Sequence, residues 1–294
     1  MLWPGNSMRA VRMRASCTSI QERLPTADPV QGCKVIATAR RAEALSDLAD
    51  LGVETVLLDL DDQASIEAAA EAVARLTDGK LDVLVNNAGT TYVMPLADVR
   101  LPRLRALFET NVFAVVALTN QLLPQLRAAR GLVVNISSAA ESLPFPFKGA
   151  YAMTKAAVAS YSRTLSVELA EFGVRVLNVT TAFVASQLGK RAPPDPWPAT
   201  SWYDSMRAVG QRAGSGTRMT PEAYARRVAA EALRGPGWEI GPWRLFGTRE
   251  TLMLGTLSGP MWVLGFLGNN WARFVMRRMW KFAVLRDALR KKTA

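Results

Sequence analysis

The sequence predicts a doubly wound α/β fold with a parallel sheet, and three observations carry that prediction. Short apolar runs recur along the chain, each is continuous rather than alternating, and segments with helical spacing separate them. Strands that are apolar on both faces belong to a sheet covered by helices on both sides. Regular alternation of strand and helix selects the doubly wound class.

The elements follow in order. Lys34–Ala39 (KVIATA) reads as a strand and Arg41–Leu51 as a helix. Thr55–Leu60 (TVLLDL) is the next strand, and Asp61–Leu76 then carries Ile66, Ala69, Ala70, Val73 and Leu76 at helical spacing. Leu81–Val85 (LDVLV) is a strand, Leu104–Arg127 a long helix, and Leu132–Ile136 (LVVNI) a further strand. Ala150–Phe172 is helical and stops at Gly173, before the strand Val174–Thr180 (VRVLNVT). The series is Rossmann-type in outline. After Ser186 it breaks: residues 189–219, rich in Pro, Gly, Trp and Ser, read as a substrate lid. Thr220-Pro221-Glu222 restarts a helix with a capping hydroxyl, a proline in the first turn and an acid behind it.

Composition narrows the chemistry. With 294 residues and 49% hydrophobic content, the chain can bury one large domain. It has no histidine, which excludes His-based triads, His general bases and His-containing zinc sites. Cys17 and Cys33 lack metal-ligand spacing and are too few for a disulfide framework, so a reducing cytoplasmic setting fits. Catalysis must rest on Ser, Tyr, Lys, Asn, Asp or Glu.

Those residues cluster in motifs. Asn86, Asn87, Ala88 and Gly89 (NNAG) follow LDVLV, Asn135 to Ser138 (NISS) follow LVVNI, and Tyr151 to Lys155 (YAMTK) open the next helix. Tyr151 and Lys155 stand at i and i+4 and share a helix face. An ammonium beside a phenol stabilises tyrosinate, so Lys155 is expected to lower the Tyr151 pKa from about 10 toward neutrality. Tyr151 then serves as general acid in reduction and as base in oxidation. Ser138 would hydrogen-bond the substrate oxygen. Taken singly, each residue also has a bland reading as loop serine, helix hydrogen-bonder or packed aromatic.

Together, NNAG, the helical Asn111, a serine thirteen residues before a tyrosine, and YxxxK resemble the short-chain dehydrogenases/reductases, from about residue 32 to 186. The resemblance implies a nicotinamide cofactor, with Lys155 also on its ribose and Asn111 holding a water that leads to Lys155. It implies that Asn86, Ala88 and Gly89 border the cofactor beside Tyr151, and that Asp59 meets the adenine. Thr181 to Ser186 (TAFVAS) resembles the family stretch PGxVxT, which places Val184 and Ser186 at the carboxamide. Thr181 and Ala182 replace its proline and glycine. An acid at the end of the second strand favours NAD, whereas arginine accommodates the 2′-phosphate of NADP. Thr38, Ala39, Arg40 and Arg41 stand there without an acid, so NADP(H) is expected, held by Thr38, Arg40 and Arg41. The segments ATARR, TYVMPL and LPFPFKGAYAMTKAA are most similar to fungal NADPH-dependent 1-acyldihydroxyacetone-phosphate reductases and related secondary-metabolite reductases. That similarity implies a lipid-like or polyketide-like keto substrate and a homodimer or homotetramer. Lys190 and Arg191 fit a phosphate or, equally, a solvated basic pair.

One departure stands out. The family opens with a strand and a glycine-rich turn, TGxxxGxG, that lets the backbone approach the pyrophosphate. Here the first fifty residues contain only Gly5 and Gly32. Arg9, Arg12 and Arg14 are poor occupants of a buried strand. The first βα unit is therefore expected to be degenerate or missing, and residues 1–31 are set apart from a reductase domain over 32–250. Three origins stay open for residues 1–31: a targeting segment rich in arginine, a diverged nucleotide loop, or a translated intron over Val11–Gln31. The intron is favoured, because valine codons begin GT, Gln31 is encodable as CAG, and Ala27-Asp28 can contain CTGAC. A catalytically impaired relative that binds at a membrane is the alternative to an active reductase.

The net charge is +11, and the end of the chain concentrates it: Arg273, Arg277, Arg278, Lys281, Arg286, Arg290, Lys291 and Lys292 face only Asp287. With no zinc finger and no RNA-binding aromatic signature, anionic lipid suits this charge better than nucleic acid. Thr251–Trp271 is uncharged and about long enough to cross a bilayer. Gly255, Gly259, Pro260, Gly265 and Gly268 interrupt it, and Trp271–Lys292 mixes apolar residues with arginine as interfacial helices do. Residues 251–294 are expected either to meet an endoplasmic-reticulum or lipid-droplet membrane, or to cap the substrate pocket or a dimer surface.

Overall fold

The computed structural model describes residues 14–18, 32–186, 188, 195–208, 218–235, 238–240, 243–245, 250–266 and 269–293. Its strands are β1 (Arg14–Thr18), β2 (Lys34–Ala39), β3 (Glu54–Leu57), β4 (Val83–Asn86), β5 (Leu132–Ile136), β6 (Arg175–Thr181), β7 (Trp238–Ile240), β8 (Trp243–Leu245) and β9 (Thr251–Leu254). Seven of them form one sheet in the order β3-β2-β1-β4-β5-β6-β9, every neighbouring pair parallel. β7 and β8 form a separate antiparallel ribbon. The helices are α1 (Ser46–Ala49), α2 (Gln63–Leu76), α3 (Leu101–Phe108), α4 (Ala114–Ala129), α5 (Gly149–Glu168), α6 (Pro221–Ala232), α7 (Ser258–Phe266), α8 (Asn269–Met279) and α9 (Ala283–Thr293).

The continuous apolar runs have the expected cause. Along β5, Val133 packs into a core with α2, α4 and α5, while Leu132 and Val134 point to the other face against Val228 and Ala232 of α6. Successive side chains alternate across a strand, so a sheet covered on both faces needs apolar residues at every position. The helix starts also follow from sequence. Asp62 caps α2 by accepting from the Ala64 amide at 3.0 Å, and Thr220 caps α6 through the Ala223 amide at 3.2 Å, with Pro221 in the first turn.

Three expectations are corrected. The central strand is present: Arg14–Thr18 lies between β2 and β4, with Ser16 opposite Ile36 on one side and Leu84 on the other. The arginine objection applied to residues 9–15, whereas the strand begins at its last two positions. A gap between two parallel strands exposes two backbone edges, and any extended segment can satisfy them through its own amides and carbonyls. Residues 19–31, where the glycine-rich turn would fall, lie outside the described residues. Second, the domain boundary at 250/251 shifts, because Thr251–Leu254 pairs with β6 as an edge strand of the sheet. The start of the uncharged stretch is thus buried sheet, with Leu252 and Leu254 in the core. Gly255 turns the chain immediately afterwards at φ +114°, where a Cβ would sit 2.9 Å from the Phe183 amide nitrogen. Third, the long helix of residues 104–127 starts at Leu101 and is interrupted by a π turn at Glu109–Phe113.

A further apolar cluster lies among the loops that follow β4 and β5. Tyr92, Met94, Ala139, Phe147 and Ala150 meet Trp197, Met206, Met261, Met276 and Trp280 there. Phe147 is its hub, with ring centroids 4.9 Å from Trp197, 5.6 Å from Trp280 and 5.9 Å from Tyr203. Within the expected lid, residues 195–208 are pinned at several points. Asp195 pairs with Arg100 and with Arg103, the latter at 3.5 Å, and Ser201 donates to Asp98 at 2.6 Å. Lys190 and Arg191 lie outside the described residues.

Candidate active site

The C-terminal ends of β4, β5 and β6 place the candidate residues, as expected for ligand sites in open parallel sheets. Ser137 and Ser138 leave β5, and Tyr151 and Lys155 follow on the first turns of α5. Ser137 donates to the Lys155 carbonyl at 3.1 Å and its amide donates to Val179 at 2.8 Å, so it fixes the start of α5 against β6. Ser138 caps the following turn by accepting from the Ala140 amide at 3.2 Å, and its hydroxyl lies near enough to the Tyr151 phenol to favour the phenolate. Lys155 donates from Nζ to the Ile136 carbonyl at 2.7 Å and lies 5.8 Å from the centroid of the Tyr151 ring. The sequence thus brings Ser138, Tyr151 and Lys155 together.

Asn111 joins them through the π turn of Glu109–Phe113. An extra residue in a helical turn re-aims the side chain inward, and Asn111 is buried. Its Oδ1 accepts from the Thr90 amide at 2.8 Å, and its Nδ2 donates to the Thr90 carbonyl at 2.9 Å and to Thr154 at 3.1 Å. Thr154 in turn donates to the Tyr151 carbonyl at 2.7 Å. Asn111 therefore locks the loop after NNAG onto α5. Gly89 sits in that lock: a Cβ there would be 3.2 Å from Asn111 Oδ1 and 3.8 Å from Lys155 Nζ.

The electrostatics differ from expectation. The Tyr151 pKa is pushed up to about 12, not down, because burial disfavours the phenolate more than the Ser138 hydrogen bond favours it. The Lys155 pKa is brought down to about 8 by burial, with the Glu141 carboxylate opposing the shift. With its pKa raised, the Tyr151 phenol keeps its proton across the physiological range.

Glu141 was invisible in the sequence as a site residue. It lies three residues beyond Ser138, accepts from Thr180 at 2.8 Å and from Asn178 at 3.3 Å, and so ties the serine turn to β6. It is a positioning residue. Glu141→Gln removes the charge that keeps Lys155 protonated, so the fall of kcat/KM above about pH 8 is expected to move to lower pH. Glu141→Ala, which also removes the tie to β6, is expected to lower kcat further. A pH profile that stays in place in Glu141→Gln would show that the carboxylate does not act on Lys155. Tyr224 of α6 was missed as well. It meets the Thr181 hydroxyl at 2.6 Å, and burial raises its pKa with a contribution from nearby Tyr151.

Several expected cofactor contacts can be tested on their surroundings. Arg40 and Arg41 are exposed just after β2, and among the described residues no carboxylate forms an ion pair with either. Thr38, in β2, is buried, and its hydroxyl finds no hydrogen-bond partner among the described residues. A shallow cleft beyond β4 is lined by Leu60, Ala88, Ala114, Val115 and Leu118, with Asn86 at its base. Asp59 follows β3, and its Oδ1 accepts from the Asp61 amide at 3.1 Å. A donor, two free cations and an apolar slot fit the adenosine half of a dinucleotide phosphate. The Asn86 side-chain nitrogen is engaged within the fold. It donates inward to Thr119 at 3.0 Å and to Asn135 at 2.8 Å, tying β4 to β5 and α4. Residues 181–186 keep a regular path without the proline and glycine, because Phe183 bridges to Thr256 and Val184 to Met219. Val184 is half-buried and Ser186 exposed.

The profile of the short chain dehydrogenase family matches residues 29–197. The chain is 38% identical over 212 residues to the short-chain dehydrogenase ptmH of Penicillium ochrochloron, covering 70% of this chain and 78% of that protein. It is 35% identical over 158 residues to the NADPH-dependent 1-acyldihydroxyacetone phosphate reductase of Schizosaccharomyces pombe, covering 54% of this chain and 53% of that one. Among solved structures, a short-chain dehydrogenase from Streptomyces avermitilis superimposes with a TM-score of 0.73 at 29% identity, over 96% of this chain and 99% of that one. The parallel sheet, the assembled Ser138, Tyr151 and Lys155, and these matches lead to one assignment: the chain belongs to the short-chain dehydrogenase/reductase family and is an oxidoreductase of that kind.

Proposed function

We propose that the protein is an NADPH-dependent carbonyl reductase acting on a lipid-like or polyketide-like ketone. The observation that carries this reading is the grouping of the buried Tyr151 with Lys155, whose Nζ lies 5.8 Å from its ring centroid, at the end of β5 beside Ser138. A bound nicotinamide supplies the hydride for the carbonyl carbon. Ser138 holds the carbonyl oxygen, and Tyr151 Oη delivers its proton there as the alkoxide forms. Lys155, charged below about pH 8, stabilises the phenolate left behind. Apolar substrate is favoured by the cluster around Phe147, which adjoins Ala139 next to Ser138. An acidic substrate group is favoured by Lys148, whose pKa is lowered by burial and then by the neighbouring Arg218. Exposed Phe113, just before α4, and Met153 and Val167 along α5 suit a homodimer or homotetramer built on those helices.

The test is consumption of NADPH by the purified full chain with long-chain ketones and their phosphate esters. Arg40→Asp with Arg41→Ser is expected to weaken NADPH binding roughly 10- to 100-fold and to leave NADH binding nearly unchanged, because charge-assisted hydrogen bonds are worth about 1.5–3 kcal/mol. Equal loss for both cofactors would reject the arginines as phosphate contacts. A second reading, a catalytically impaired relative acting as a binding protein, is favoured by the shortage of glycine, since only Gly5 and Gly32 precede residue 50. Failure of the full chain to bind NADPH would select it.

A further inference from the structure

α8 has two apolar faces. Its inner face, Ala272 and Met276, continued by Trp280, is at most 8% exposed and packs into the cluster around Phe147, Trp197 and Met206. Its outer face carries Trp271 and Phe274, 57% and 55% exposed, with their rings edge-to-face at 6.1 Å. These residues stand at i and i+3, and Arg278 at i+7 continues the same stripe. Trp262 and Val263 of α7, Met279 at the end of α8 and Val284 of α9 are also at least 42% exposed. A helix that hides one apolar face has no reason of folding to keep a second one in water, and grouped exposure of large apolar residues marks an interaction surface.

The charge identifies the partner. Arg273, Arg277, Arg278, Lys281 and Arg286 are exposed on the same stretch, and Asp287 is the one acid between residues 251 and 294. A second copy of this face would bring like charge against like charge. An anionic bilayer supplies the opposite charge together with a zone in which Trp and Phe partition well. The one helical run among the described residues that is long and apolar enough to cross a membrane is Leu101–Ala129, where Leu118, Leu122 and Leu126 are buried in the core. We infer that the outer face of α8, with its neighbours in α7 and α9, docks flat on an anionic lipid surface, so that the roof of the apolar cluster becomes the membrane contact. This inference is independent of the proposed reaction.

The experiment is co-sedimentation of the full-length protein with vesicles of phosphatidylcholine alone, or of phosphatidylcholine with phosphatidylserine. Binding is expected to the anionic vesicles only, and to fall as salt shortens the screening length. Trp271→Ser with Phe274→Ser, and separately Arg277→Glu with Arg278→Glu, are each expected to reduce binding at least about tenfold. Thermal melts should be unchanged for both, because every altered side chain is exposed. NADPH binding is read in parallel, so loss of docking and failure of the proposed activity are distinguishable. Equal binding to neutral vesicles, or binding insensitive to both double variants, would overturn the proposal. So would a dimer that the Trp271/Phe274 variant dissociates, in a protein that binds no vesicles.

Discussion

Tyr151→Phe is expected to lower kcat for carbonyl reduction by roughly 10²–10⁴-fold, the usual worth of a positioned general acid. The substitution keeps the buried ring and removes the phenol oxygen that faces Ser138. The fold and NADPH affinity should therefore survive, and the loss should appear in kcat. Steady-state kinetics beside cofactor titration checks this, and turnover within tenfold of the parent would remove Tyr151 from the proton step. The direction of its pKa adds a second signature. With the phenol near 12, no loss of donor protonation is expected below about pH 10, so an alkaline limb near pH 8 belongs to Lys155.

Lys155→Met is expected to be nearly as damaging to turnover and, below pH 8, to stabilise the protein. The lysine keeps its ordinary pKa near 10.5 when unfolded and falls to about 8 when buried. Below pH 8 both states hold the proton and folding bears the whole cost of burying the charge. Between pH 8 and 10.5 the unfolded chain binds more protons than the folded one, so stability rises with pH. The full difference is on the order of 3 kcal/mol. Denaturant melts from pH 7 to 10 should show that rise in the parent and not in Lys155→Met. Above pH 10 the raised pKa of Tyr151 acts with the opposite sign, because the unfolded tyrosine then releases its proton first. A parent protein whose stability is flat from pH 8 to 10 would contradict the burial of a charged Lys155.

The sheet from β2 to β6 was legible in the sequence because local pattern determines it: runs such as LVVNI fit only a strand covered on both faces. Ser138, Tyr151 and Lys155 were legible because their spacing is local to one turn and one helix. Other features depend on contacts distant in sequence. β1 is a strand through its two neighbours rather than through its own composition. Glu141 matters because Asn178 and Thr180 arrive from β6. Asn86 stands out within NNAG, but its ties to Thr119 and Asn135 depend on α4 and β5 arriving beside it. The sign of the Tyr151 shift followed the same logic. The helical spacing from Tyr151 to Lys155 is real, yet burial, which no spacing reports, sets the direction of the shift.

β1 has a consequence for how the protein survives its own synthesis. Within the sheet, this single strand joins the β2–β3 pair, which leads to Arg40 and Arg41, to the strands that carry the serine, tyrosine and lysine. It pairs early with β2 but must wait for the much later β4, and closing so long a loop is entropically slow. Until then β4 presents a bare apolar edge of the kind that recruits strands from other chains. Chains altered within residues 14–18 are therefore expected to be lost to aggregation before their cofactor affinity can be measured. The quality of residues 14–18 would then be read first in soluble yield, and only afterwards in rate.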